Sequence, residues 1–181
     1  IGGTGLIGVA KDTLPQKGVP PALTTAFVEV ELDVETGKFT IKDYLGVADC
    51  GTALHPKSLE TQIRGGAVMG IGMACLERYV YDPKNGRPAN RGYYQAKPAS
   101  YLDVNTEMKA SWVGKPDRVN PVGVKGVGEP VQGAAAAAVL CAISDAMGGH
   151  TFNRTPVTPD MIVNAMAGKP QSYKHLQVHT Q

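Results

Sequence analysis

Cysteine is scarce and badly spaced for chemistry: Cys50, Cys75 and Cys141 are all that the 181-residue chain contains. Three thiols lying far apart build neither a disulfide framework nor a Cys-x-x-Cys metal motif. Any iron–sulfur cluster would have to be held elsewhere. An excess of charge of either sign is also missing. Lys and Arg number 18 against 16 Asp and Glu, which removes the electrostatic case for nucleic acid or a membrane surface as partner. No apolar run approaches the ~20 residues a bilayer-spanning helix needs. The sequence opens at Ile1 with neither Met nor a signal peptide, which suggests a fragment, a processed product or one piece of a split polypeptide. What is present is ordinary for a globular chain: 43% hydrophobic and 19% charged residues, and a length that fits one domain with a real core. The 22 glycines and 13 prolines imply many constrained loops.

Gly2, Gly5 and Gly8 are spaced three apart, like the phosphate turn of a dinucleotide fold. Such a turn needs a strand before it, a helix after it and an acid about 20 residues on. Only Ile1 precedes it, Pro15, Pro20 and Pro21 follow too soon for a full crossover helix, and no acid sits after a plausible second strand at that distance. A small-residue packing turn competes with the nucleotide reading. From Ala26 to Val34 the sequence alternates strictly, which predicts a half-exposed strand. Glu35-Thr-Gly-Lys38 turns the chain, and Phe39, Ile41, Leu45 and Val47 form the hairpin partner. A helix is expected from Pro56 or Lys57 to about Glu77, with Gly65, Gly66, Gly70 and Gly72 inside it. Each glycine costs about 1 kcal/mol relative to alanine. Either close helix packing or a bulky ligand must offset that.

Residues 87–120 read as irregular chain with a short strand near Met108–Val113. Tyr93, Tyr94 and Trp112 could line a substrate funnel, with core or interface packing as the alternative. A second helix is expected at Val131–Met147, and a third starts with Thr158 as cap and Pro159 in first position. The segments are 1–21, rich in Gly and Pro; 22–168, the domain portion; and 169–181, a polar tail.

The most informative stretch is Val122-Gly-Val-Lys-Gly-Val-Gly-Glu129-Pro, running into an alanine-rich helix. Glycines at 123, 126 and 128 are expected to take left-handed angles and approach a ligand, and Pro130 suits the first helical position. Free amides at a helix start favour an anion, while burial would raise the carboxylate's pKa. Those opposing terms make Glu129 a candidate general base. The plainer alternative is a surface acid that complements the helix dipole.

Asp49-Cys-Gly51, Glu60-Thr-Gln62-Ile-x-Gly-Gly66 with Gly70-x-Gly72, Tyr81-Asp-Pro-x-x-Gly86, Gly126-Val-Gly-Glu-Pro130 and Thr155-Pro-Val-Thr-Pro-Asp160 occur in order. Together they resemble the xanthine dehydrogenase/aldehyde oxidase family, in the C-terminal part of its molybdopterin-binding large subunit. The resemblance covers roughly residues 22–168. It implies an α+β piece of a molybdenum-cofactor-binding domain, with a β-hairpin, a Gly-rich helix, and an Ala-rich helix following a GVGE loop. It makes Glu129 the catalytic glutamate beside molybdenum, and Gln62 a glutamine near the pterin. Lys125, Gly126, Val127 and Gly128 become backbone lining the same site. In the family that glutamate takes a proton from a metal-activated oxygen, and two electrons leave through iron–sulfur clusters to flavin, haem or another acceptor. His55 stands where many relatives have Asn, and a metal role for it lacks a second ligand at suitable spacing.

The resemblance implies a molybdenum-dependent oxidoreductase, active only with partner chains, that hydroxylates an aldehyde or N-heteroaromatic. Molybdopterin cytosine dinucleotide with molybdenum is the expected cofactor, shared with a partner chain, and no residue of this chain is expected to ligate the metal. The expected partners are the rest of the molybdopterin-binding subunit, a 2Fe-2S subunit, and an FAD or cytochrome (haem) subunit. The expected compartment is the cytoplasm, with the periplasm as alternative. Two rival readings are a non-catalytic scaffold half of such a complex and a stand-alone dinucleotide-binding reductase using Gly2–Gly8.

Overall fold

The computed structural model describes residues 5, 8, 9, 21–104, 106–119, 121–171 and 173. The glycine turn at Gly2–Gly8 and the tail beyond 173 lie largely outside them. Alternating polarity builds strand β1, Thr24–Leu32, in which Ala26, Val28, Val30 and Leu32 are half-buried while Phe27, Glu29 and Glu31 are exposed. Asp33 organises the turn: its carboxylate accepts the Glu35 N–H at 2.9 Å and the Thr36 hydroxyl at 2.7 Å. Strand β2, Phe39–Asp49, then returns antiparallel to β1.

The pairing slips between Glu29 and Val30, where Lys42 is the extra residue on β2. A bulge of one residue exchanges the two faces of the strand beyond it. Ile41 is buried before the slip, but Tyr44, Gly46 and Ala48 are buried after it, and Leu45 and Val47 are only half-buried. The expected set Phe39, Ile41, Leu45 and Val47 therefore divides between two faces, because a period of two cannot register an inserted residue. Strand β3, Met108–Val113, lies parallel to β2 and completes a sheet of order β1-β2-β3.

Two helices cover one face of this sheet. Helix α1, Pro56–Cys75, packs on β2 and β3. A single turn, α2 at Tyr93–Ala96, precedes β3. Helix α3, Gly128–Ala146, packs chiefly on β1 and along α1. The core between helices and sheet contains Tyr44, Ala48, Ile63, Ala67, Val139 and Ile143. Helix α4, Pro159–Met166, adds Met161 and Ile162 to it.

Three helix starts carry detail that sequence pattern does not show. His55 is the N-cap of α1: its Nδ1 accepts the Ser58 N–H at 3.1 Å, so the imidazole replaces the short polar side chain usual at that position. Helix α3 starts at Gly128, three residues before the expected Val131, and carries Glu129 in its first turn, where the sequence places it. Pro130 is consequently third, not first, in the helix, where its missing N–H still falls among those no intrahelical carbonyl reaches. At α4, Thr158 holds the cap position but its hydroxyl donates to Asp160 Oδ1 at 2.5 Å, and its side chain caps no backbone amide.

Close packing accounts for three of the four α1 glycines. A Cβ on Gly66 would lie 3.1 Å from Val131 Cβ, and one on Gly70 would lie 2.8 Å from Ala135 Cβ and 2.9 Å from Ala136 N. At Gly72 it would lie 3.1 Å from Ala99 N, whereas at Gly65 it would meet nothing within 4 Å. Substitutions at 70 and 65 should therefore have opposite signs. Gly70→Ala is expected to destabilise the chain by about 2 kcal/mol, the overpacking against α3 backbone exceeding the gain in helix propensity. Gly65→Ala is expected to stabilise it by about 0.5–1 kcal/mol. Urea denaturation followed by circular dichroism measures both, and equal effects would refute the packing account.

Candidate functional site

The segment leading into α3 is held by the loop that follows β2. Gly51 and Val124 form an isolated antiparallel bridge. The Thr52 N–H donates to Gly123 O, and the Lys125 N–H donates to Cys50 O, both at 2.8 Å. Gly51 and Gly123 have φ of +64° and +70°, a region that L side chains rarely enter. A Cβ on Gly123 would also lie 2.9 Å from both Pro116 Cβ and Thr52 Oγ1. This glycine serves the approach of one loop to another. Neither Gly126 nor Gly128 has positive φ, which corrects the expectation of left-handed angles at all three positions.

Lys125 turns its charge inward. Its Nζ lies 2.6 Å from Asp49 Oδ2 and 3.9 Å from Asp117 Oδ2, with its side chain only 12% exposed. The hydrogen bond from Lys125 holds the Asp49 carboxyl below its usual range against a smaller opposing effect of burial, and the Gly51 amide adds to the lowering. The ammonium is thus committed to a clasp between two loops, and backbone is what residue 125 can offer to a ligand. Sequence reading missed this clasp. Its signal was the acid of Asp49-Cys-Gly51 and a lysine in a glycine loop, but nothing local joins positions 49 and 125.

Gln62 and the start of α3, distant in sequence, come together. Gln62 Nε2 lies 3.3 Å from the place a Cβ on Gly128 would occupy. Glu129 follows directly in the first turn of α3, and both Gln62 and Glu129 are exposed. The N-cap residue, Val127, supplies no side-chain hydrogen bond to the helix start. Its own side chain packs half-buried against the core, while Gly126 is exposed with open space where a Cβ would be. The arrangement therefore presents one amide side chain, one carboxylate and uncapped first-turn amides on a single open corner. The described residues do not bury Glu129; any wall over it must come from outside them.

Two cavities among the described residues do not include Glu129. One of about 210 Å³ is lined by Cys50, Thr52, Leu54, Leu59, Lys125 and Val127. A larger one of about 720 Å³ lies beyond Met73 and Gln132, and is lined also by Arg154, Pro156 and Asp160. Of the tyrosines considered for a funnel, Tyr93 and Tyr94 are 86% and 100% exposed, whereas Trp112 packs partly buried against the core.

Residues 10–105 match a family model described as a molybdopterin cofactor-binding domain. Gln62 lies inside that match and Glu129 beyond it. The large subunit of nicotine 6-hydroxylase from Paenarthrobacter nicotinovorans is 36% identical over 141 residues, covering 77% of this chain and 17% of the relative. The putative xanthine dehydrogenase molybdenum-binding subunit of Escherichia coli (strain K12) is 34% identical over 140 residues, covering 77% and 18%. Among solved structures, quinoline 2-oxidoreductase from Pseudomonas putida 86 superimposes with a TM-score of 0.71 and 32% identity, over 78% of this chain and 18% of that one. The chain thus spans less than a fifth of the length of each of these relatives.

The Asp49–Lys125 clasp has a pH signature. Because the folded-state pKa of Asp49 is below its ordinary value of 3.8, the pair's contribution is fully present above that value. It is lost as pH falls through the lowered one. Asp49→Asn and Lys125→Met should both lower stability at neutral pH and flatten its decline below about pH 4. Unfolding midpoints measured from pH 7 to 2 test this, and an unchanged acid slope in both variants would count against the clasp.

Proposed function

Because this chain belongs to the molybdopterin cofactor-binding domain family, we propose that it supplies the catalytic glutamate, Glu129, and one wall of the cofactor site of a molybdenum hydroxylase. The observation that carries this reading is the convergence of Gln62 and the uncapped start of α3 on one open corner, with Glu129 in that first turn. The donor set suits such a cofactor. A pterin with phosphate groups needs hydrogen-bond donors, and helix-start amides with a Gln amide provide them. Gln62 holds the pterin side, the backbone of Lys125, Gly126, Val127 and Gly128 lines the approach, and the open space at Gly126 admits close contact.

When bound, the cofactor supplies a two-electron acceptor and Lewis acidity toward water. Glu129 would act as the general base, its carboxylate taking up the proton that a water molecule loses on becoming the nucleophile. Helix α3 makes this carboxylate a rigid mount, because its first turn is fixed against α1. The reaction is oxidative hydroxylation of an aldehyde or N-heteroaromatic, with electrons passing to iron–sulfur clusters on a partner and onward to an FAD or haem subunit. In this reading residues 22–168 form the domain portion and the complex works in the cytoplasm. Molybdopterin cytosine dinucleotide is the cofactor form.

The decisive measurement is Glu129→Gln in the assembled complex, with molybdenum content assayed in parallel. Turnover should fall by about 10²–10⁴-fold, the range general-base removal produces, with metal content unchanged. Unaffected turnover would favour a scaffold role. Tight NAD(P) binding by a complex that contains no molybdenum would favour a reductase built on Gly2–Gly8.

A further inference from the structure

Between α1 and β3 the chain makes an excursion, residues 78–103, that is ordered without being buried. Five of the seven tyrosines are here or at its edge. Tyr79, Tyr81, Tyr93, Tyr94 and Tyr101 are 71%, 57%, 86%, 100% and 93% exposed, and Leu102 is 87% exposed. The excursion is nevertheless shaped. Ala89 N–H donates to Val80 O at 2.7 Å, Asp82 N–H to Arg87 O at 2.9 Å, and Val80 N–H to Asn90 Oδ1 at 2.9 Å. Its far end is pinned by Asp103, whose carboxylate accepts the Ser100 N–H at 2.7 Å and pairs with Lys97. Backbone order has been imposed on a segment whose large side chains stay mostly exposed among the described residues.

Exposed tyrosines along a hydrogen-bonded backbone offer contact area to a partner. A tyrosine can bury about 150 Å² or more. Five offer on the order of 700 Å², close to the ~800 Å² one partner contributes to a standard stable interface, and tyrosine gives such contact at low entropy cost. Charge selects among occupants. Arg78, Lys84, Arg87, Arg91 and Lys97 face only Asp82 and Asp103 within this segment. Arg78, Lys84 and Arg87 meet no carboxylate among the described residues. A second copy docking its own arm here would set these cations against one another. The relatives, whose chains are more than five times as long as the matched region, have ample further polypeptide that can carry a complementary surface.

We propose that residues 78–103 form a tyrosine-faced, basic docking arm that seats on an acidic surface of the remaining portion of the molybdenum-binding polypeptide. This rests on the reading of the chain as one part of a larger cofactor-binding body. The arm and the Glu129 corner leave α1 at opposite ends, so docking fixes the orientation of α1, and with it Gln62, without touching the reacting atoms.

The test uses the assembled, molybdenum-loaded complex. With p-benzoylphenylalanine in place of Tyr94, irradiation should give cross-links to an acidic segment of the molybdenum-binding polypeptide outside these 181 residues. Tetranitromethane should nitrate Tyr93, Tyr94 and Tyr101 at least tenfold more slowly in the complex than after dissociation in urea. Arg87→Glu, which removes a cation and buries nothing, should weaken assembly at least tenfold, more so at low salt. Cross-links to a second copy of the arm or to the iron–sulfur subunit, or equal nitration before and after dissociation, would overturn the proposal. The two readings fail separately: intact turnover in Glu129→Gln with cross-links as expected sinks the catalytic role alone, and the reverse pattern sinks the arm alone.

Discussion

The closeness of α1 to α3 governs everything else in this molecule. Gly66 and Gly70 leave no Cβ between the helices, and α3 answers with Val131, Ala135 and Ala136 at the contact. Helix axes can then approach until backbone meets backbone, and that approach brings Gln62 beside Gly128. Any larger residue at the crossing would move the start of α3 away from Gln62, because protein interiors yield little to added volume. The geometry of the corner is thus decided a full turn or more away from it, by side chains that are absent.

A second constraint acts from the other side. The loop after β2 and the loop before α3 are stitched by the Gly51–Val124 bridge, the paired backbone hydrogen bonds around Gly123, and the Lys125 clasp to Asp49. The ion pair is mostly covered, so it is less screened than a surface pair and its partners have fewer alternatives. Its contribution is to orientation. With residue 125 fixed by its side chain, the backbone from Gly126 onward enters α3 in a single direction and Glu129 emerges on the open side.

The same chain leaves two surfaces uncovered: the corner around Glu129 and the tyrosine arm. They differ in kind. The corner offers small polar donors and an acid with open space, suited to a compact polar ligand, and the arm offers large rings and cations, suited to another protein surface. Both are consistent with a chain that occupies less than a fifth of the length of its relatives.

Sequence by itself determined the elements that depend on local chemistry. Alternation at Ala26–Leu32, the proline-opened helix at Pro56, the strand at Met108–Val113 and the alanine-rich helix all follow from short-range pattern, and the ordered glycine motifs were enough to mark the family. The bulge at Lys42, the early start of α3, the capping role of His55 and the inward turn of Lys125 were decided only in three dimensions. The bulge depends on one inserted residue and the turn of Lys125 on a partner far along the chain, and periodicity records neither; the His55 cap is local, to Ser58, but uses a ring where a short polar side chain is usual. Even the four helix glycines, visible at once as a cost of about 1 kcal/mol each, could not be divided into three packing positions and one open one until α3 lay against them.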